Sequence, residues 1–358
     1  MAASPIDPNR ALLERAAELL RPIIDELVFV GGCATGLLIT DEASGGIRPT
    51  DDVDVIVEVA SYGKYAEITE RLRELGFRQD TKDGVICRWR HGQELVLDVM
   101  PTDERILGFS NRWFGPAVTS AREVHLRTGP IRAITPVYFL ATKLEAFHGR
   151  GSDFMTSHDL EDLVTVIDGR PEVVAEVHAA DSQVRAYLST ECGQLLAERR
   201  FVDALYGFLQ FDDASQQRVP FVLSRIRALA AASTVALIVD QLRERLKSET
   251  PALLRKAAAA GTLLTGGTVK DLIVVLIEAF DSASHRLIGA YLDVGERDLR
   301  SLVASVAGHL KPQLDEFKSL AARPLRSLEI APREIDRRGQ AFLESLPDRV
   351  ASALSRHR

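Results

Sequence analysis

Cysteine, long apolar runs and excess positive charge are all scarce in this chain, and each scarcity argues against a class of protein. Three cysteines, Cys33, Cys87 and Cys192, form no C-x-x-C pair. They are too few and too scattered for a disulfide framework, so reduced packing residues are expected. The beginning of the chain has no apolar signal-peptide core, and apolar runs such as Leu272 to Leu276 fall far short of the roughly 20 residues that span a bilayer. A cytoplasmic protein with no membrane partner is the expectation. The formal net charge of -7 argues against indiscriminate coating of nucleic acid, although it leaves room for a local basic groove. The motifs H-E-x-x-H, G-x-x-x-x-G-K-[ST] and G-x-S-x-G do not occur, and Gly36 follows Gly31-Gly32 at a spacing foreign to the dinucleotide fingerprint.

What is present points to a large core. With hydrophobic residues at 46% and charged ones at 27% of 358 residues, the chain can fill two domains. Its first part mixes two periods. Asn9 is placed to cap a helix running to about Leu27, with Leu12, Leu13, Ala16, Leu19, Leu20 and Ile23 at helical spacing. Leu27 to Val30 reads as a buried strand, Gly31-Gly32 as its break, and Cys33 to Ile39 as a short helix whose free N–H groups face the strand end. A glycine-rich loop, Asp41 to Pro49, leads to a strand over Asp52 to Val59 and a helix over Tyr62 to Leu75 ended by Gly76. Val85 to Arg90 and Glu94 to Met100 flank His91-Gly92-Gln93 as a hairpin.

The segment after Pro101, with Phe109, Trp113 and Phe114, shows no assignable period. From Pro136 the pattern is helical: Tyr138 to Phe147 carries Lys143, Gly149 and Gly151 break that helix, Ser157 caps the next and Gly169 ends it. From about Pro171 to Arg358 only helices are expected, with an inner boundary near Ala228 to Ser233. The fold class is therefore α+β, an α/β-like N-terminal part followed by an all-α C-terminal region.

The most informative stretch is Thr50-Asp51-Asp52-Val53-Asp54-Val55. On a strand, Asp52 and Asp54 project to one face while Val53, Val55 and Val57 take the other. Two carboxylates held that close repel unless a cation lies between them, and Mg²⁺ takes a few carboxylates and keeps waters and substrate phosphates as its other ligands. Asp98, inside the apolar second hairpin strand, is either a salt-bridged core acid or a third ligand. A glycine pair opening a helix lets backbone N–H groups approach a triphosphate that a Cβ would keep away. Acids and glycine turn together suggest phosphoryl or nucleotidyl transfer.

Gly31-Gly32, then Arg48-Pro49-Thr50-Asp51-Asp52-Val53-Asp54, then Asp98, resemble the DNA polymerase beta nucleotidyltransferase superfamily. The segments Lys143-Leu144-Glu145-Ala146-Phe147 and Asp159-Leu160-Glu161-Asp162-Leu163 are similar in particular to the AbiEii type, the toxin component of abortive-infection toxin–antitoxin pairs. The resemblance covers about residues 25 to 170. It implies a mixed β-sheet flanked by helices, as a catalytic domain over 1–135, a helical region over 136–230 completing the cleft, and a helical accessory domain over 231–358 whose role it does not reach. It implies that Asp52 and Asp54 bind two Mg²⁺ (or Mn²⁺) ions, that Asp98 joins the ion activating the acceptor hydroxyl, and that Lys143, read alone a helix-surface lysine, contacts the phosphates of a nucleoside triphosphate such as ATP. Arg48 and Thr50 would orient phosphate or cap the strand, and Asp159 and Asp162, sharing a helix face, would form the cleft wall or neutralise nearby arginines. Many members carry Gly-Ser where this chain has Gly31-Gly32, so the backbone alone would serve the phosphates.

The expected activity is transfer of a nucleoside monophosphate to an RNA end, above all tRNA, under restraint by a cognate antitoxin protein. Arg88, Trp89, Arg90, Arg112 and Trp113 would line the RNA cleft by stacking and phosphate contacts. The alternatives are a nucleotidyltransferase acting on a small molecule or protein hydroxyl, and a non-catalytic helical scaffold.

Overall fold

Alternation of valine with aspartate gives the strand Asp52–Val57 one dry face and one acidic face, and the rest of the first unit is arranged around that division. The computed structural model describes residues 7–59, 61–80, 85–93, 95–150, 153–322, 324–325 and 330–357. Contacts between Cα atoms divide the chain into two units, Met1–Ile226 and Arg227–Arg358.

In the first unit, β1 (Leu27–Val30), β2 (Asp52–Val57), β3 (Arg78–Gln79), β4 (Arg88–His91), β5 (Leu95–Pro101), β6 (Arg122–Leu126) and β7 (Gly129–Ala133) form a seven-stranded sheet in the order β3-β4-β5-β2-β1-β7-β6. The sheet is mixed: β2 runs parallel to β5 and antiparallel to β1, and β7 runs parallel to β1. Val53, Val55 and Val57 of β2 and Leu95, Leu97 and Val99 of β5 are buried in one core with Leu13, Ala16 and Ala17 of the helix Arg10–Leu19 and Ile68 and Leu72 of the helix Tyr62–Glu74. Each buried valine, leucine or isoleucine among them stabilises the fold by roughly 2 kcal/mol, which fixes the strand faces: a one-residue slip would turn the strand residues outward. Asp52 and Asp54 are thereby held on the opposite face.

Several sequence expectations shift. The first helix stops at Leu19 and a 3₁₀ turn, Arg21–Glu26, follows, because Pro22 offers no N–H to continue the α-helical ladder. The expected helix over Cys33 to Ile39 splits into a 3₁₀ turn, Gly32–Ala34, and a single α-turn, Thr35–Leu38. The strand expected to reach Val59 ends at Val57, and β4 starts at Arg88 rather than Val85. Glu94, expected to open the second hairpin strand, lies outside the described residues, as does Gly151. Gly149 does not break its helix, which runs over Pro136–Arg150.

The segment without an assignable period contains the short helices Glu104–Leu107 and Phe114–Ser120, followed by the β6–β7 hairpin. That hairpin went unread because Arg122-Glu123-Val124-His125 puts charged side chains on both faces, and most of β6 is exposed at the sheet edge.

The helix His158–Gly169 is capped by Ser157, whose Oγ accepts from the Leu160 N–H. Val173–Ala179, Ser182–Ala197 and Arg199–Phe208 follow. The glycine-rich loop is tied down at its start, where the N–H groups of Thr40 and Asp41 both donate to the Gly169 carbonyl, and Arg218 pairs with Asp41 and Asp168.

The helix Val219–Ala259 starts in the first unit and continues in the second, which otherwise comprises Gly266–Asp293, Leu299–Ala322, Ile330–Glu344 and Leu346–Arg356 around Leu272, Leu276, Phe280, Leu287, Leu310, Leu314 and Phe317. Among the described residues no strand follows Ala133. The architecture is therefore the expected one, an N-terminal mixed sheet flanked by helices and then a largely helical region. One expectation is corrected: the stretch Asp213–Ala259 is long and apolar enough to cross a membrane by length and composition. The apolar residues are not one uninterrupted block, which hides them from a search for runs. Val235, Ile238, Leu242 and Leu246 of this stretch belong to the core of the second unit.

Candidate active site

Parallel pairing of β2 with β5 sets Asp54 directly beside Asp98, with Asp52 two residues back on the same face. Next to β5, β4 places Arg88 opposite Asp98. The Arg88 guanidinium grips Asp98 in a bidentate pair, Nε to Oδ1 at 2.9 Å and Nη2 to Oδ2 at 2.8 Å, and Nη2 also reaches Asp52 Oδ2 at 3.1 Å. Of the two readings of Asp98, the salt-bridged acid is the one seen, and that acid stands beside Asp52 and Asp54.

Asp54 is treated differently by its surroundings. Its carboxylate makes no hydrogen bond or ion pair among the described residues, and burial, reinforced by the charges of Asp52 and Asp98 and only partly opposed by those of Lys143 and Arg150, pushes it from 3.8 up to about 7. Its space comes from the glycine turn. Gly31 sits at φ +69, and a Cβ there would lie 1.9 Å from Asp54 Oδ2. The glycine that was expected to admit phosphate therefore first of all admits an aspartate.

Gly32 adjoins a second group of charges. A Cβ on it would come within 3.2 Å of Arg48 Nη2 and 3.3 Å of Asp162 Oδ2. Arg48 Nη2 donates to Asp162 Oδ2 at 3.3 Å, and its Nε lies 3.6 Å from Glu161. Thr50 Oγ1 donates to Asp52 Oδ1 at 2.7 Å and so orients that carboxylate.

The residue that holds Arg48 and Thr50 in place is Asn9, which the sequence reading took for a helix cap. Its side chain makes no cap bond; Nδ2 donates to the Arg48 carbonyl and Oδ1 accepts from the Thr50 N–H, both at 2.9 Å. A contact between residues so far apart in sequence leaves no local signal.

Lys143 is not a surface lysine: it is only 9% exposed. Its Nζ donates to Asp162 Oδ2 at 2.6 Å and Asp159 Oδ1 at 3.3 Å, while Arg150 donates to both oxygens of Asp159. Burial by itself would lower the ammonium, but Asp162 and Asp159 outweigh it and raise its proton affinity. The helices Pro136–Arg150 and His158–Gly169 therefore hold a charged Lys143 within a network of paired charges that reaches the glycine turn at Gly32.

The expected RNA-stacking set is not assembled. Trp89 is 1% and Trp113 8% exposed, both consumed by packing. Arg88 is engaged by the acids, Arg90 by Asp80, and Arg112 by Glu145 while lying over the Tyr187 ring. What sequence reasoning missed at the site is Arg88 as partner of the acids, Asn9 as their brace and Arg150 as partner of Asp159. The alternating apolar residues around Trp89 place Arg88 on the acid face, a signal for the first that was available.

The donors suit a hard divalent cation in kind and in facing, since Asp52, Asp54 and Asp98 are all carboxylates on one face and, among the described residues, no cationic side chain is in direct contact with the Asp54 carboxylate. Among the described residues, no three His, Cys, Asp or Glu side chains yet close around a single metal position. The Arg88 side chain lies between two of the three.

No family model and no curated protein matches this sequence. Among solved structures, the chain is similar to an antigenic nucleotidyltransferase-like protein from Paracoccidioides brasiliensis, at 16% identity and a TM-score of 0.38, over 60% of this chain and 99% of that one.

Proposed function

We propose that the first unit is a metal-dependent nucleotidyltransferase, moving a nucleoside monophosphate from a nucleoside triphosphate to an acceptor hydroxyl. The observation that carries this is the placement of Asp52, Asp54 and Asp98 on one face of two neighbouring parallel strands, against a glycine turn that yields its Cβ space to Asp54. In that reading Asp52, Asp54 and Asp98 would hold Mg²⁺ or Mn²⁺, which supplies charge neutralisation on the phosphates and acidifies the acceptor hydroxyl.

The chain's own residues do the positioning. Thr50 orients Asp52, Asn9 braces the segment around Thr50, and Arg48 stands beside Gly32 with Lys143 held behind it through their shared partner Asp162. Phosphates brought to that side meet both cations, exchanging part of their present pairing with Asp159 and Asp162. The acceptor oxygen would bond to the α-phosphorus as the bond to pyrophosphate breaks, the bonding pair leaving with pyrophosphate and the hydroxyl proton passing to solvent.

An RNA end, with tRNA first among candidates, is the acceptor we infer from the AbiEii-like motifs, together with restraint by an antitoxin and a cytoplasmic setting. The test is incubation of the protein with Mg²⁺ and each α-labelled nucleoside triphosphate in the presence of total tRNA and cell lysate, beside an Asp52→Ala control. Label on RNA only with Asp52 intact supports the reading and names the donor. Label on protein or a small molecule replaces the acceptor, and no label under any condition overturns the enzyme reading in favour of a helical binding protein.

A further inference from the structure

We infer that Arg88 is an internal counter-ion that holds the cation position at Asp52 and Asp98, and that its guanidinium must swing away before a divalent ion can enter. The inference rests on the nucleotidyltransferase reading and adds a regulatory step to it. Arg88 contacts Asp98 through two bonds, of 2.9 and 2.8 Å, and reaches Asp52 at 3.1 Å with a nitrogen already used on Asp98. One planar cation thus spans two carboxylates on adjacent strands. A bound Mg²⁺ would sit about 2.0–2.1 Å from the same oxygens, well inside the distance at which the guanidinium nitrogens lie. A cation lodged between Asp52 and Asp98 and the present rotamer of Arg88 therefore exclude one another.

The backbone of β4 is fixed in register, Arg88 opposite Asp98, so the exchange has to be made by the side chain. Its side chain is partly exposed, at 21%. A guanidinium fork binds phosphate as readily as carboxylate. The geometry therefore favours an ion that arrives together with a triphosphate, which gives Arg88 somewhere to go, over a bare ion, which does not. In the resting protein the site is shut against free divalent cations by its own arginine.

The test is titration of the full chain with Mn²⁺ alone, read by electron paramagnetic resonance of the free ion, for the unsubstituted protein, Arg88→Ala, Arg88→Lys and Asp54→Asn, with folding checked by circular dichroism. Arg88→Ala is expected to bind Mn²⁺ at least about tenfold more tightly, since a competing ion pair is removed. Arg88→Lys, which keeps the charge and loses the bidentate grip, is expected to fall between and serves as the test if Arg88→Ala does not fold. Mn²⁺ binding that depends on Asp54 but is equal or weaker in the Arg88 variants overturns this inference alone. Binding that is absent or indifferent to Asp54 in every form overturns the metal site and the inference with it.

Discussion

Replacing Asp54 by asparagine should make the protein more stable in alkaline EDTA and leave it unchanged in acid. The folded protein holds this carboxyl at about 7 against an ordinary 3.8, chiefly through burial and then through the charges of Asp52 and Asp98. Between those values the folded state binds more protons than the unfolded one, so stability falls as pH rises through the window. The cost is absent below about pH 4 and complete above about pH 8. Each factor of ten in proton affinity corresponds to about 1.4 kcal/mol, which sets an upper limit of about 4 kcal/mol at pH 8. Water at the outer edge of the site reduces this to about 2–4 kcal/mol. Asparagine keeps the shape, fits the same space beside Gly31 and carries no charge to desolvate.

The assay is urea unfolding followed by tryptophan fluorescence. Both tryptophans, Trp89 and Trp113, lie in the first unit, so the signal reports that unit alone. The midpoint of Asp54→Asn should exceed that of the unsubstituted protein at pH 8 and converge with it near pH 4. A lower or equal midpoint at pH 8 would refute the claim that ionising Asp54 costs the folded protein stability.

Four further outcomes follow from the same geometry. Gly31→Ala puts a Cβ at φ +69 and 1.9 Å from Asp54 Oδ2, and should lower stability by about 2–4 kcal/mol in the same urea assay; a change below about 0.5 kcal/mol would show that the turn can relax. Lys143→Met leaves Asp159 to Arg150 and Asp162 to Arg48, so the loss should be about 2–3 kcal/mol, less than the roughly 3–5 of a fully broken buried pair. An unchanged urea midpoint there would return Lys143 to the helix surface. Asn9→Ala removes two hydrogen bonds to residues 48 and 50 and should cost about 2 kcal/mol together with a fall in nucleotidyl transfer. Asp98→Asn should abolish transfer while the far-ultraviolet circular dichroism stays the same; label incorporation at the unsubstituted rate would remove Asp98 from the site.

Much of the site was legible because its signals are periodic and local. Alternation in Asp52–Val57 named the acidic face of β2 without any knowledge of its neighbours, since a strand has only two faces and the valines must take the dry one. Apolar residues at helical spacing, punctuated by Pro, Gly and Ser, announced the helical second half. Asp98 could be flagged as an acid in an apolar strand, yet whether it faced Asp54 or another partner depended on β5 lying parallel beside β2, and strand pairing is decided by what packs on both sides of the sheet.

The tertiary structure alone determined the partners. Arg88 joins Asp98 and Asp52 because β4 folds back along β5 in one particular register. Asn9 grips residues 48 and 50, and Lys143 sinks between Asp159 and Asp162, because separate elements close over one another. Trp89 and Trp113, expected beside their arginine neighbours to line an RNA cleft, are packing residues instead. Sequence by itself determined which residues share a face, since backbone geometry repeats every two or 3.6 residues. Only the folded chain decided which faces meet and which charges neutralise each other, since those pairings arise between residues that no local period connects.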